Sequence, residues 1–339
     1  MQSENGRKKR QDIVMAKKIK VLFIYPSLSS FIERDLNILK EEFEVISYQS
    51  KGKKNLFKLL KLVLKTDINI SWFSLGYATS AVLFSKFFGK KSVVITGGWD
   101  VVYMPEIGYG AMRGSRIRKT RFALKRATKI LAVSKSTKNW TLKWVKRDDV
   151  IPMYLGFDSE KFAPKGTKEN MVLTVGQLKN EVTIRVKGLD TFVKTAELLP
   201  DVKFVLIGDH DPKLAEKWRS KAPPNLEIKD FQPEEKLMEY YQKAKVYAQL
   251  SFQESFGSAL AEAMLCGCVP VVTKRGGMPE VVGDAGLYVE YGDAEQTAKT
   301  IKEALLSTLG QEARKRIATH FTLTSRKEKL IRIINECMK

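Results

Sequence analysis

Short apolar runs alternate along the chain with longer stretches whose apolar residues recur at helical spacing. In the first half KKIKVLFIYP (17–26), EVISYQ (44–49), DINISWF (67–73), KSVVITGG (91–98) and ILAVS (130–134) read as strands, the first apolar enough to be buried. FIERDLNILKEEF (31–43), KKNLFKLLKLVLK (53–65), ATSAVLFSKFFG (78–89) and RIRKTRFALKRATK (116–129) read as helices. In the second of these Leu56, Leu59, Leu60, Val63 and Leu64 carry the three- and four-residue steps. Strand following helix in this way predicts a parallel sheet with crossover helices.

The alternation stops in YLGFDSEKFAPKGTKEN (154–170), where Gly, Pro and polar residues cluster, and then resumes. Strands are expected at 171–176, 202–208, 226–231, 245–251 and 269–273, and helices at about 187–199, 212–221, 233–244, 256–266 and 294–308. The expected fold class is therefore α/β: two Rossmann-like domains facing a cleft, the first over 17–158 and the second starting at 159. Ligands of such sheets bind beyond the carboxyl ends of the strands.

Charge changes this picture. The net charge is +21, and it is uneven: residues 1–160 hold 31 Lys+Arg against 14 Asp+Glu, and residues 161–339 hold 28 against 24. The basic half wants an anionic partner: a membrane surface, a phosphorylated substrate or nucleic acid. Helix 53–65, with Lys53, Lys54, Lys58, Lys61 and Lys65 beside its apolar residues, reads either as an interfacial helix on anionic lipid or as a core-packed helix with a solvated face. Arg113, Arg116, Arg118, Lys119, Arg121, Lys125 and Arg126 read either as a seat for an acceptor's phosphate or as a soluble helix face.

Composition adds limits. A chain of 339 residues with 44% hydrophobic and 29% charged residues builds its own core, which excludes a disordered chain. Three cysteines, two as Cys266-Gly-Cys268, give neither a disulfide framework nor a zinc pattern, and point to a reducing, cytoplasmic setting. No stretch of about 18 apolar residues occurs. The N-terminal MQSENGRKKRQDIVMAKKIK lacks the apolar core of a secretory signal, and residues 1–16 are expected to be a disordered basic tail.

Candidate chemistry concentrates in SFQESFGSALAEAMLCGCVPVVT (251–273). A strand ends near Ser251 and a helix is expected from Ser255 or Phe256, with Ser255 as its cap and Gly257 allowing close approach of a ligand. Unpaired N–H groups and the positive dipole end make such a tip a seat for a diphosphate. On one helix, Glu254 and Glu262 would stand roughly 12 Å apart along the axis, too far for an acid/base pair on one bond, which needs about 5–9.5 Å. Two spaced carboxylates instead suit the hydroxyls at two ends of an elongated ligand.

Here the chain resembles the retaining, nucleotide-sugar-dependent glycosyltransferases of group 1 (family 4-like), which have the GT-B fold. Their Glu-x7-Glu hallmark stands here as Glu254-SFGSALA-Glu262, flanked by EAMLCGCVPVVT (262–273), GGMPEVVGDAGLYV (276–289), VGQ…RVKGLDTF (175–192), KFVLIGD (203–209) and YLGFDSEKFAP (154–164). The resemblance spans about residues 19–335. It implies a nucleotide-sugar-binding second domain to residue 318 and a C-terminal helix (319–339) crossing back to the first. It further implies Glu262 on the donor ribose, Glu254 near the transferred sugar, backbone at Phe256 and Gly257 facing the diphosphate, and Lys187 on the diphosphate. The arginine that the family pairs with this lysine is replaced at its usual place by Gln177, and Arg185 is the expected substitute. The donor base is expected near Phe231, and small Ser29 and Ser30 let the diphosphate approach.

In TGGWDVVYMPEIGYG (96–110) the family's histidine is missing; Trp99 and Asp100 stand there, with Asp100 expected either to orient substrate hydroxyls or to cap the turn, and with Tyr109 and Glu106 on the same wall. The implied activity is retaining transfer of a hexose from a UDP- or GDP-sugar to a hydroxyl acceptor, metal-independent and with no cofactor beyond the sugar nucleotide. The basic regions suggest a polyprenyl-diphosphate-linked acceptor at an anionic membrane surface, with the enzyme peripheral on the inner face of the membrane. A sugar phosphorylase or nucleotide-sugar epimerase is the near alternative. A nucleic-acid-binding protein is the distant one: it leaves both glutamates without a role.

Overall fold

In the computed structural model, residues 18–50 and 55–339 are described. The expected tail 1–16, together with Lys53 and Lys54, lies outside the described residues. The first half has strands β1 (Lys20–Tyr25), β2 (Glu44–Gln49), β3 (Ile68–Trp72), β4 (Lys91–Thr96), β5 (Lys129–Ala132) and β6 (Val150–Pro152). Its helices are α1 (Ser30–Glu42), α2 (Leu56–Leu64), α3 (Gly76–Phe87), α4 (Ser115–Arg126) and α5 (Lys135–Leu142). The second half has β7 (Glu169–Val175), β8 (Lys203–Ile207), β9 (Leu226–Lys229), β10 (Ala244–Gln249), β11 (Val269–Thr273) and β12 (Leu287–Val289). Helices α6 (Glu181–Lys187), α7 (Leu189–Glu197), α8 (Pro212–Arg219), α9 (Glu234–Lys243), α10 (Ser258–Leu265), α11 (Met278–Val282), α12 (Ala294–Leu306), α13 (Gly310–His320) and α14 (Leu323–Met338) complete it.

Each half is one parallel six-stranded sheet, in the orders β2-β1-β3-β4-β5-β6 and β12-β11-β10-β7-β8-β9. Successive pairs such as Val94 opposite Ile130 and Ile95 opposite Leu131 place apolar side chains on opposite faces, so the central strands need helices on each side. In the first sheet α2, α3 and α4 pack side by side over one face, around Leu59, Val63, Ala81, Val82 and Leu124. Helices α1 and α14 cover the other.

Three departures from the sequence pattern have local causes. The helix expected over 187–199 is α7, and the unexpected α6 stands directly before it: Gly188 separates the two at φ +65°, with its backbone pressed on Leu250. A Cβ there would lie 2.0 Å from the Leu250 carbonyl oxygen, so this chain crossing admits only glycine. Helix α5 hides in a mixed stretch but is capped by Ser134, whose Oγ accepts from Thr137 N. Strand β6 is three residues long and ends in proline, which only an edge position tolerates.

The chain crosses between halves twice, side by side. Phe157 N donates to Phe321 O, and Leu323 N donates to Phe157 O. Helix α14 then packs on α1, held by a fully buried ion pair: Arg326 Nε and Nη2 donate to the two oxygens of Asp35 at 2.5 and 2.6 Å. The other Arg326 nitrogen donates to the carbonyls of Met153 and Tyr154, and Trp72 Nε1 donates to Asp35. Every polar group of the pair is thus met, which a buried pair requires.

Candidate active site

The loop between β10 and α10 is built on glycines. Gly277 N donates to Glu254 O at 2.7 Å, and a Cβ on Gly276 would lie 2.0 Å from that same oxygen. Loop 254–257 therefore rests directly on backbone 276–277. Phe256 turns its ring inward among Tyr154, Phe157 and Phe321, stacked on Phe157 at 5.8 Å, which leaves its backbone facing outward. Helix α10 begins after Gly257, at φ +92°, and no side chain caps it. Ser255 was expected as the cap and is not: it lies before the turn, and its N–H donates to Glu254 Oε1 at 3.2 Å. The N–H groups of the α10 tip consequently have no protein partner among the described residues, which suits an anion.

That tip opens into a cavity of about 410 Å³ between the two sheets' carboxyl ends. Glu254, Ser255, Phe256, Gly257, Lys187, Gln177 and Gln249 line it from the second half; Gly97, Trp99, Tyr109 and Phe73 line it from the first. Lys187 Nζ donates to Glu254 Oε2 at 2.6 Å, so the cation and the carboxylate share one wall. The halves touch at Gly98, φ +117°, where a Cβ would overlap Ser255 Oγ at 1.6 Å. Burial, then the nearby Glu254 and Asp100, push the Tyr109 phenol upward, so it keeps its proton on this wall. Trp99 also lines a second cavity of about 400 Å³, enclosed by Leu75, Gly76 and Tyr77, with Arg116 and Lys119 beside it.

Several expected site residues stand elsewhere. Asp100 is fully buried and its carboxylate accepts from the backbone N–H of Ser74, Gly97 and Gly98 at 2.7–3.0 Å. It holds the Gly97–Gly98 turn and faces no substrate space; burial pushes its carboxyl up to about 6 against the pull of those donors. Arg185 is exposed and outside the cavity wall, because the α6 face that carries it points away from Lys187; its carbonyl accepts from Tyr291. Phe231 is an exposed ring beyond β9 and forms no part of the wall.

Glu254 and Glu262 do not share a helix, since α10 starts at Ser258. Glu262 is buried, raised by burial and countered by Arg34 of α1, whose guanidinium pairs with it across the two halves. Tyr241 also donates to it at 3.4 Å. Arg34 lies 4.8 Å from the Phe157 ring, at the crossing. Ser30 is the exposed first residue of α1; Ser29 Oγ is buried with no partner among the described residues. Glu106 lies in the short turn Pro105–Ile107, outside the wall. No three His, Cys, Asp or Glu side chains gather into a metal site among the described residues.

The sequence reading missed Arg34 and Glu280. Glu280 accepts from the N–H groups of Lys135 and Ser136 at 2.7 Å, so a carboxylate of the second half caps α5 of the first. Nothing in the local pattern marks either residue, because each partner is more than a hundred positions away. Gln249, the last residue of β10, follows from position alone, since strand carboxyl ends face the cleft.

Comparison with known proteins fits this geometry. The family described as "Glycosyl transferases group 1" matches residues 157–320. N-acetyl-alpha-D-glucosaminyl L-malate synthase of Bacillus anthracis is 26% identical over 333 residues, covering 91% of this chain and 83% of that protein. The structure of Anabaena Alr3699/HepE in complex with UDP-glucose superposes with a TM-score of 0.76 at 16% identity, over 94% of this chain and 100% of that one. Sucrose-phosphate synthase of Thermosynechococcus elongatus superposes with a TM-score of 0.76 at 16% identity, over 94% and 99%. At that identity the likeness carries the fold, which is GT-B.

Proposed function

We propose, for a chain that residues 157–320 place among the group 1 glycosyl transferases, a retaining transfer of a hexose from a UDP- or GDP-sugar to a hydroxyl acceptor. The observation that carries this reading is the cavity between the sheets. It joins an uncapped helix tip, the Lys187–Glu254 pair and a glycine turn of the opposite half. The α10 tip and Lys187 would receive the donor's diphosphate, and Glu254 would meet the hydroxyls of the transferred sugar. With Arg185 outside the wall, Lys187 and backbone N–H groups carry the charge that develops as the diphosphate leaves. The neutral Gln177 lines the place of the second cation.

In the proposed reaction the anomeric carbon loses its bond to the diphosphate oxygen and gains one to the acceptor oxygen on the same face. The acceptor's proton passes to the departing diphosphate, so no side-chain base is required. Tyr109 stays protonated and can donate to a substrate oxygen. Glu262 reaches a donor ribose only if Arg34 withdraws, so its role requires the halves to part and close again. Ser29 Oγ, buried without a partner, is a group that a ligand could satisfy.

The second cavity extends the first past Trp99, with Arg116 and Lys119 beside it, and supports an acceptor that carries phosphate. A polyprenyl-diphosphate-linked acceptor has that chemistry and would bring the enzyme to a membrane surface as a peripheral protein; no helix among the described residues is long and apolar enough to cross one.

The test is a panel of nucleotide sugars read by melting temperature and by nucleoside diphosphate release. One donor should raise the melting point, and an acceptor bearing phosphate should stimulate release. Donor-independent melting across UDP- and GDP-sugars rejects the reading. Formation of a sugar phosphate from inorganic phosphate favours a phosphorylase.

A further inference from the structure

Helices α2, α3 and α4 form one continuous outer face of the first half. Their sequences, LFKLLKLVL, GYATSAVLFSKF and SRIRKTRFALKR, contain no Asp or Glu. None of their cations forms an ion pair among the described residues. The opposite face differs: α1 carries Glu33, Asp35, Glu41 and Glu42, and Lys327 of α14 pairs with two of them. The excess positive charge of the first half is therefore sorted onto one side of its sheet.

The same side exposes large apolar residues. Phe57 and Leu64 lie on the outward stripe of α2 with Lys61 between them, at steps of four and three. Leu83 and Phe87 lie one turn apart on α3, and Phe87 is 80% exposed. Beyond them Arg118, Arg121 and Lys125 of α4 line a groove of about 510 Å³ with Lys143, Lys146 and the ring of Trp144. A nucleic acid would use the cations but leave Phe57, Leu64, Leu83 and Phe87 in water. An anionic bilayer takes both, with rings at the acyl boundary and cations among the headgroups.

We propose that the α2–α3–α4 face docks this protein on an anionic lipid bilayer, with Phe57, Leu64, Leu83 and Phe87 entering the interface and the cations of α2 and α4 meeting the headgroups. This deepens the membrane part of the proposed function and rests on that reading only for what the docking serves. Helix α2 begins at the carboxyl edge of the sheet, the edge at which both cavities open, so docking brings that edge toward lipid-borne acceptors.

The full chain is sedimented with vesicles of phosphatidylcholine and phosphatidylglycerol in equal parts, and with phosphatidylcholine alone. Binding is expected only to the first. Each headgroup cation removed should cost roughly fivefold in partitioning, so Arg118→Ser/Arg121→Ser/Lys125→Ser together should cost on the order of a hundredfold. Leu83→Ser/Phe87→Ser should cost about tenfold or more and leave transfer to a water-soluble acceptor unchanged, since neither residue lines either cavity. Equal binding to both vesicle types, no binding to either, or variants that bind as the parent does, overturns the proposal. Tighter retention on duplex DNA than on anionic vesicles, untouched by Leu83→Ser/Phe87→Ser, assigns the face to nucleic acid and overturns it too. The two readings fail separately: vesicle binding without nucleoside diphosphate release sinks the transferase reading alone, and turnover without vesicle binding sinks the docking alone.

Discussion

At the scale of the residue, the site turns on how two carboxylates are paired. Glu254 meets Lys187 at 2.6 Å on the cavity wall, whereas Glu262 is buried against Arg34. Glu254→Gln keeps the size and removes the charge, so transfer should fall by about 100-fold or more while the circular dichroism spectrum is unchanged. Lys187→Ala should fall by a similar factor and weaken nucleoside diphosphate binding. Full activity in either variant removes that residue from the mechanism. Asp100 makes a different prediction, about stability. Its folded carboxyl, pushed up to about 6, holds a proton more tightly than the unfolded one near 4. Folding then binds a proton between those values, so this group's contribution falls as pH rises from about 4 to about 6. Over that window the change is on the order of 3 kcal/mol. Urea denaturation of the parent and Asp100→Asn across these pH values should give curves that converge toward acid and separate toward neutral. Parallel curves would assign the slope to other groups.

At the scale of the element, chain crossings rather than propensity set the site. Gly188 separates α6 from the helix that the periodicity of 187–199 predicts, and so leaves Lys187 at a helix end facing the cavity. Gly188→Ala has to be accommodated at φ +65° with its Cβ 2.0 Å from a carbonyl oxygen. The strain alone is about 1–3 kcal/mol, and relief requires α6 or Leu250 to move. A lowered midpoint in urea together with weaker donor binding is expected; loss of stability with unaltered binding would show that α6 keeps its place. The wall was legible in the sequence where strand ends meet glycines, as at Gly97–Gly98 and Gly257. Ser255 misled as a cap because cap preference is local, while Gly276 and Gly277, about twenty positions on, hold the loop in another shape.

At the scale of the whole molecule, the two halves are clasped by charges from distant parts of the chain. Arg326→Met leaves Asp35 buried without its partner and should destabilise the fold by about 3–5 kcal/mol. The Asp35→Asn/Arg326→Met double variant should recover part of that loss. Equal midpoints for the parent and Arg326→Met would discount the pair. Arg34→Gln leaves buried Glu262 without a cation, its remaining donor the Tyr241 hydroxyl at 3.4 Å, and parting the halves would admit water to its charge. Small-angle scattering should then give a larger radius of gyration without ligand, reversed by a bound donor. An unchanged radius in both states would mean that Arg34 does not clasp the halves.

Local pattern alone carries the two parallel sheets and the glycines of the motif loop, because apolar period and glycine act over a few residues. The sequence also shows that the first half is basic. The folded chain alone settles which side of the sheet carries that charge, that Asp100 serves its own loop, that Arg185 and Phe231 stand apart from the cavity, and that Glu262 is covered by Arg34. These outcomes depend on which side chains arrive from across the fold, and burial there sets whether a charge is paired or left to a ligand. A one-dimensional pattern carries residue types and spacing; it does not carry the distance between Arg34 and Glu262.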